Sequence, residues 1–112
     1  MVKQGDIIWL NFSPTRGSEQ SGRRPALVLS NSKFIHYTNG FAIVAPISSS
    51  DNGFPLHIKI EDNLAIKGFI LTEHIRSVDL NARAYTLCDT VSDDFLKNIL
   101  NIADAMFENE RL

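Results

Sequence analysis

The sequence holds one thiol, Cys88, which excludes an internal disulfide and any cysteine-rich metal cluster. That usage fits a reducing compartment. No apolar run approaches the roughly 18 residues needed to span a bilayer. The opening Met1-Val2-Lys3-Gln4-Gly5-Asp6 has no apolar core of a signal peptide. The expectation is therefore a cytoplasmic protein with no membrane association. His36, His57 and His74 are scattered without HExxH or Cys/His spacing, so no metal site is expected. There is no GxxxxGK[ST] or GxGxxG loop to cradle a nucleotide cofactor, no GxSxG elbow and no Cys–His pair. Cys88 reads as a small apolar side chain. Linkers, repeats and low-complexity tracts are missing too, and 112 residues make one domain, 1–112.

The charge is uneven. The net value is −2, yet residues 1–87 hold nine Lys/Arg against seven Asp/Glu, while residues 88–112 hold two against six. Arg16, Arg23, Arg24 and Lys33 make the first part basic, which suits an anionic partner, although an ordinary mixed surface explains a difference this small equally well.

Asp6 to Phe12 is rich in β-branched and aromatic residues and reads as a strand. Ser13 to Arg24 is a long loop punctuated by Pro14, Gly17 and Gly22. Ala26 to Ser30 reads as a second strand started by Pro25, and Phe41 to Ala45 as a third stopped by Pro46. Residues 48–55 form another polar loop. Leu56 to Ile60 alternates, and 69–71, 75–80 and 84–87 are further strand candidates. Ser92 then caps a helix whose Phe95, Ile99, Ile102, Ala103 and Met106 recur at helical spacing, with Asp93 and Asp94 suited to its positive end. The fold class is mainly β with a C-terminal α-helix, a small bent antiparallel sheet or barrel.

Chemistry concentrates in the two polar loops. Thr15 to Pro25 combines arginine forks suited to phosphate oxygens with glycines that let a ligand approach the backbone. Glu19 and Gln20 add groups that read base edges. A solvated loop whose arginines pair with acids is the competing reading. His57, in an alternating strand, reads as partly exposed surface. Trp9 and Phe12 are stacking candidates, against a core role for Trp9.

Gly5-Asp6-Ile7-Ile8-Trp9, Ser13-Pro14 and Gly17-Ser18-Glu19-Gln20-Ser21-Gly22-Arg23-Arg24-Pro25-Ala26-Leu27-Val28-Leu29-Ser30 resemble the opening of MazF/PemK toxins. Ala45-Pro46-Ile47-Ser48 resembles that family's Pro-Ile-Thr segment, and Gly68 through Asp79 its third block. The resemblance spans nearly the whole chain. It implies an SH3-like barrel of the CcdB/MazF type, acting as a homodimer. It also implies metal-independent, sequence-specific cleavage of single-stranded mRNA, restrained by a cognate antitoxin protein. Catalytic roles fall on Arg24 and Ser48, and RNA contacts on Arg16, Ser18, Glu19, Gln20, Glu73, His74 and Arg76. Lys33 and Arg76 either steer the RNA backbone or are plain surface. Ser48 departs from the usual Thr, and His74 from a frequent Gln. A CcdB-like gyrase poison is the alternative, but the Trp-Gly-Ile ending of that family is absent here.

RNA brings its own nucleophile. Attack of the 2′-hydroxyl on the adjacent phosphorus gives a 2′,3′-cyclic phosphate and a free 5′-hydroxyl. Arg24 suits stabilisation of the charge that develops on phosphorus. Ser48 suits a non-bridging oxygen or the 2′-hydroxyl. An arginine is a poor base at neutral pH, so His74 or Glu19, with water as a relay, remain open for the proton.

Overall fold

The computed structural model describes residues 1–12, 22–51 and 53–111. In chain order the elements are β1 (Asp6–Asn11), β2 (Arg23–Val28), α1 (Ser32–Tyr37), β3 (Phe41–Ser48), β4 (His57–Lys59), β5 (Phe69–Leu71), β6 (Arg76–Asp79), β7 (Tyr85–Thr90) and α2 (Asp93–Ala105), with a 3₁₀ turn at Thr72–His74. Among the described residues the strands join antiparallel in the order β4-β5-β3-β2-β1-β7, and β6 pairs with β3. This is the expected bent, barrel-like β architecture with a C-terminal helix, and the sheet stays open.

The pleat sorts apolar residues onto two faces. Ile8, Leu10, Phe12, Ala26, Val28, Ala42, Val44, Val78 and Leu80 form one buried cluster. Ile7, Leu27, Leu29, Ala45, Ile47, Ile60, Ile70 and Val91 form the other, and Ile99 of α2 lies within it. Both faces of the strands are thus covered, which explains why they read as continuous apolar runs rather than clean alternation.

Two strand limits differ from expectation because a proline interrupts a ladder only on the edge where its N–H would be needed. β2 begins at Arg23 rather than after Pro25. Pro25 sits opposite Trp9, and β3 joins β2 only from Ala26 onward, so the missing N–H costs no ladder bond on that side. β3 likewise runs through Pro46 to Ser48. Its first half pairs with β6, Val44 to Pro46 with β2, and Ile47 and Ser48 with β5. Pro46 therefore falls where the strand changes neighbours. The other limits shift by a residue or two: β4 is His57–Lys59, β6 Arg76–Asp79 and β7 Tyr85–Thr90.

α2 starts as its sequence signals. Ser92 Oγ accepts from Phe95 N–H at 3.2 Å, and Asp93 and Asp94 occupy the first turn. Glu61 adds a latch, its carboxylate accepting from Ser92 N–H at 2.6 Å and from Ser92 Oγ–H at 2.7 Å. Ile99 is fully buried, with Phe95, Leu96 and Leu100 packed beside it. Met106, expected on the apolar stripe, lies past the helix end and is exposed.

Candidate active site

Antiparallel register places Arg24 opposite Leu10, so its side chain leaves β2 on the face that holds Ala26 and Val28. The β2–β3 ladder ends at Ala26 opposite Pro46. Beyond that pair β3 turns to β5, with Ser48 opposite Phe69, and Arg24 borders a concave pocket with Ile47 and Ser49. Ser48 leaves β3 on that face as well, because Ile47 points into the opposite cluster. Arg76 stands opposite Val44, and its guanidinium carbon lies 5.7 Å from the centroid of the buried Phe12 ring, a cation–π distance. Arg24, Ser48, Arg76 and Phe12 thus leave their strands on one face by register, and Phe12 N–H donates to Gly22 O at 2.9 Å.

Arg24 and Arg76 are half-buried, so their charges act in a medium that screens less than open water. Ser48 is half-buried, and its Oγ accepts from Ser50 N–H at 3.2 Å. Behind it, Gly68 adopts φ +135°, and a Cβ there would run into the Ser48 carbonyl oxygen. A side chain at position 68 is incompatible with this approach, and the approach fixes the end of β3 that carries the hydroxyl.

Glu73 and His74 occupy the 3₁₀ turn between β5 and β6, the two strands that flank successive parts of β3. Glu73 lies 3.6 Å from His74 Nε2 and accepts from His57 Nε2–H at 2.6 Å. His57 is thereby corrected from surface to structure: its side chain is only 8% exposed, and Phe54 packs edge-on against it at 5.1 Å between centroids. Among the described residues its Nδ1 is buried without a hydrogen-bond partner. Sequence reasoning missed this pairing because His57 and Glu73 are neighbours only through the β4–β5 hairpin, in which His57 faces Leu71.

Trp9 is half-buried rather than core. It sits on the opposite face of the sheet, with the Arg23 guanidinium carbon 6.0 Å from its ring centroid. Lys33 lies on α1 and is exposed. Arg16, Ser18, Glu19 and Gln20 fall in residues 13–21, outside the described residues. Among the described residues no group of three or more His, Cys, Asp or Glu side chains is placed to hold a metal ion.

The chain matches the sequence model of the PemK-like, MazF-like toxins of type II toxin–antitoxin systems over residues 3–107. It belongs to that family. The endoribonuclease toxin MazF of Escherichia coli strain K12 is 35% identical to it over 95 residues, covering 85% of this chain and 84% of the relative. The endoribonuclease toxin ChpB of the same strain is 35% identical over 114 residues, covering 95% and 94%. Among solved structures, MazF from Deinococcus radiodurans superposes with a TM-score of 0.86 at 32% identity, covering 94% of each chain. A MazE–MazF crystal structure from that organism gives 0.80, also at 32% identity and 94% coverage of each chain. The toxin-family blocks noted in the sequence thus lie on adjoining strands: the Arg-Pro segment on β2, the Pro-Ile-Ser segment on β3, and the third block on β5 through β6.

Proposed function

We propose that this toxin-family chain is an endoribonuclease that cleaves single-stranded mRNA at specific sequences and is inhibited by a cognate antitoxin. The observation that carries the reading is the placement of Arg24 and Ser48 on one face, at adjoining strand ends, in a chain whose named relatives are endoribonuclease toxins. A gyrase-poisoning role of the CcdB kind finds no support beside that family match.

The chemistry follows from the side chains. The substrate's 2′-hydroxyl attacks the adjacent phosphorus in line, and the 5′ oxygen of the next nucleotide leaves. Charge grows on the non-bridging oxygens as the fifth bond forms. Arg24 presents a fixed fork of donors to that charge, a contribution of preorganised electrostatics. Ser48 donates its O–H to a non-bridging oxygen or to the 2′ oxygen while its Oγ accepts from Ser50 N–H. Arg76, stacked on Phe12, adds positive potential along the RNA backbone. The His74 imidazole beside Glu73, or Glu19, takes the 2′ proton through water, and the leaving oxygen receives a proton in return. No step calls for a metal ion or cofactor.

Arg16, Ser18, Glu19, Gln20, Glu73 and His74 contact the RNA bases and backbone in this reading. The working form is a homodimer in the cytoplasm, and no helix among the described residues is long and apolar enough to cross a membrane. The antitoxin is an acidic, apolar segment that folds onto the RNA site and competes with phosphate. MazE–MazF crystal structures among the fold's relatives support a protein inhibitor.

The deciding experiment incubates wild-type protein, Arg24→Ala and Ser48→Ala with a defined single-stranded transcript and sequences the cut ends. Arg24→Ala is expected to lose cleavage by about a hundredfold or more with an unchanged circular dichroism spectrum. Ser48→Ala should lose less. Full cleavage by folded Arg24→Ala protein would remove the assignment.

A further inference from the structure

Arg23 and Arg24 are consecutive, and so are Ser48 and Ser49. Alternation along a strand sends neighbouring side chains to opposite faces, so each pair straddles the sheet. The even-numbered members form the site described above. The odd-numbered members open into a concave pocket of about 350 Å³, lined by Trp9, Arg23, Pro25, Ile47, Ser49 and Lys67, and Arg24 reaches its wall as well. A guanidinium and a hydroxyl, Arg23 and Ser49, thus stand beside the described site, and Arg24 borders both.

The pocket's chemistry is specific. Its floor includes the Trp9 indole, with Arg23 above it at 6.0 Å, and no carboxylate side chain is among its described lining residues. Arg23 reaches Thr86 Oγ1 only at 3.4 Å, a long bond that leaves most of its fork for a ligand. Lys67 Nζ donates to the Asp62 backbone carbonyl at 2.7 Å; an ammonium has three such donors, so two remain. Arg23, Lys67 and Ser49 are all exposed. An aromatic plane beside two cations and a hydroxyl matches a base joined to a phosphate, and sites for small molecules begin at roughly 300 Å³.

We propose that this pocket is a second nucleotide subsite, which takes the nucleotide adjoining the cleaved linkage. The base stacks on Trp9, Arg23 and Lys67 hold its phosphate, and Ser49 meets the phosphate or sugar. The RNA strand passes the ends of β2 and β3, with its reacting phosphate at Arg24 and the next nucleotide in the adjoining pocket that Arg24 borders. The proposal rests on the endoribonuclease reading for the identity of the ligand, but it is tested separately.

Trp9 is the sole tryptophan, so its fluorescence reports on this pocket directly. The four nucleoside 5′-monophosphates are titrated into the full chain up to the millimolar range, with inorganic phosphate and an oligoglutamate peptide in parallel. Saturable quenching by the nucleotides is expected, with phosphate competing but quenching little. Arg23→Ala and Lys67→Ala should each weaken binding about tenfold, while Lys97→Ala, which removes an equal charge from α2, should not. Ser49→Ala, at an exposed position, serves as a second probe with a smaller expected loss. Non-saturating quenching, or equal affinity in the Arg23 and Lys67 variants, would overturn the subsite. So would saturation by the peptide but not the nucleotides, which would reassign the pocket to a protein partner. A protein that cuts RNA but fails this titration loses only the subsite; one that binds nucleotides here but leaves RNA intact loses only the nuclease reading.

Discussion

Ser48 holds the hydroxyl of a threonine without the β-methyl that stiffens χ1. The bond from Ser50 N–H to its Oγ supplies a local restraint of another kind, fixing the oxygen through the turn that follows rather than through crowding at Cβ. That substitution was readable in the sequence as a loss, and its compensation was not, because a serine hydroxyl bonded two residues on leaves no signature in residue type. His57 shows the same limit from the other side. Alternation placed it correctly in a strand, but its partner Glu73 lies 16 positions away, and only the hairpin brings them together. Cys88 was legible: it packs as a half-buried side chain and its thiol donates to Ile7 O at 3.2 Å. Burial pushes its pKa up, with the neighbouring Asp89 charge adding and a backbone hydrogen bond at Asp89 opposing. The folded state therefore keeps the thiol proton to higher pH than the unfolded chain does. The associated stability is complete below the ordinary thiol pKa and declines as pH rises through the raised one. A thiol reagent at mildly alkaline pH should label native Cys88 far more slowly than the urea-unfolded chain. Equal rates would show that the burial is not present in solution.

At the scale of elements, the strands and the capped helix were visible in apolar patterning and in Ser92, whereas α1 was not. Ser32–Tyr37 is a short helix with no buried residue, so it carries no apolar stripe for periodicity to detect. Its cap, Asn31 Oδ1 accepting from Phe34 N–H at 2.9 Å, was the one available signal. Proline misled at β2 and β3 because its effect depends on which side of a strand is paired, a property of topology. Gly68 belongs to this scale as well, since it sets how closely β5 approaches the end of β3. Gly68→Ala should destabilise the protein by about 2 kcal/mol or more, read as a lower urea midpoint, and should depress cleavage beyond what the stability loss explains. Gly53→Ala is the control. It shares a positive φ of 77°, but its added Cβ meets no described atom within 4 Å, so it should lose less on both measures. Similar losses in the two variants would mean that backbone strain alone, not the contact with Ser48, matters at position 68.

For the molecule as a whole, family membership and general architecture were legible because ordered blocks run along almost the entire chain. The grouping of Arg24, Ser48 and Arg76 was legible only in part. The blocks carried all three positions as expectations, Arg76 through the third, while the stacking of Arg76 on Phe12 depends on β6 crossing to β3. An internal nucleophile makes a whole-protein prediction: cleavage of a defined transcript should persist in excess chelator, at a rate within about twofold of the untreated sample. A loss restored by added magnesium would return a metal to the reaction. Sedimentation should give the mass of two chains, and a single-chain mass for active protein would remove the homodimer from the mechanism.

β3 is held by β2 along one edge and by β6 and then β5 along its length, with its proline at the changeover. Such a strand cannot come loose by the fraying of any one partner, so its amides should be among the last to exchange with deuterated solvent. The edge strands β4 and β7, each paired on one side among the described residues, should open far sooner. One consequence is a gradient along β3: the hydroxyl proposed to meet the scissile bond sits at its end, paired among the described residues with β5 alone, next to the most persistent part of the fold.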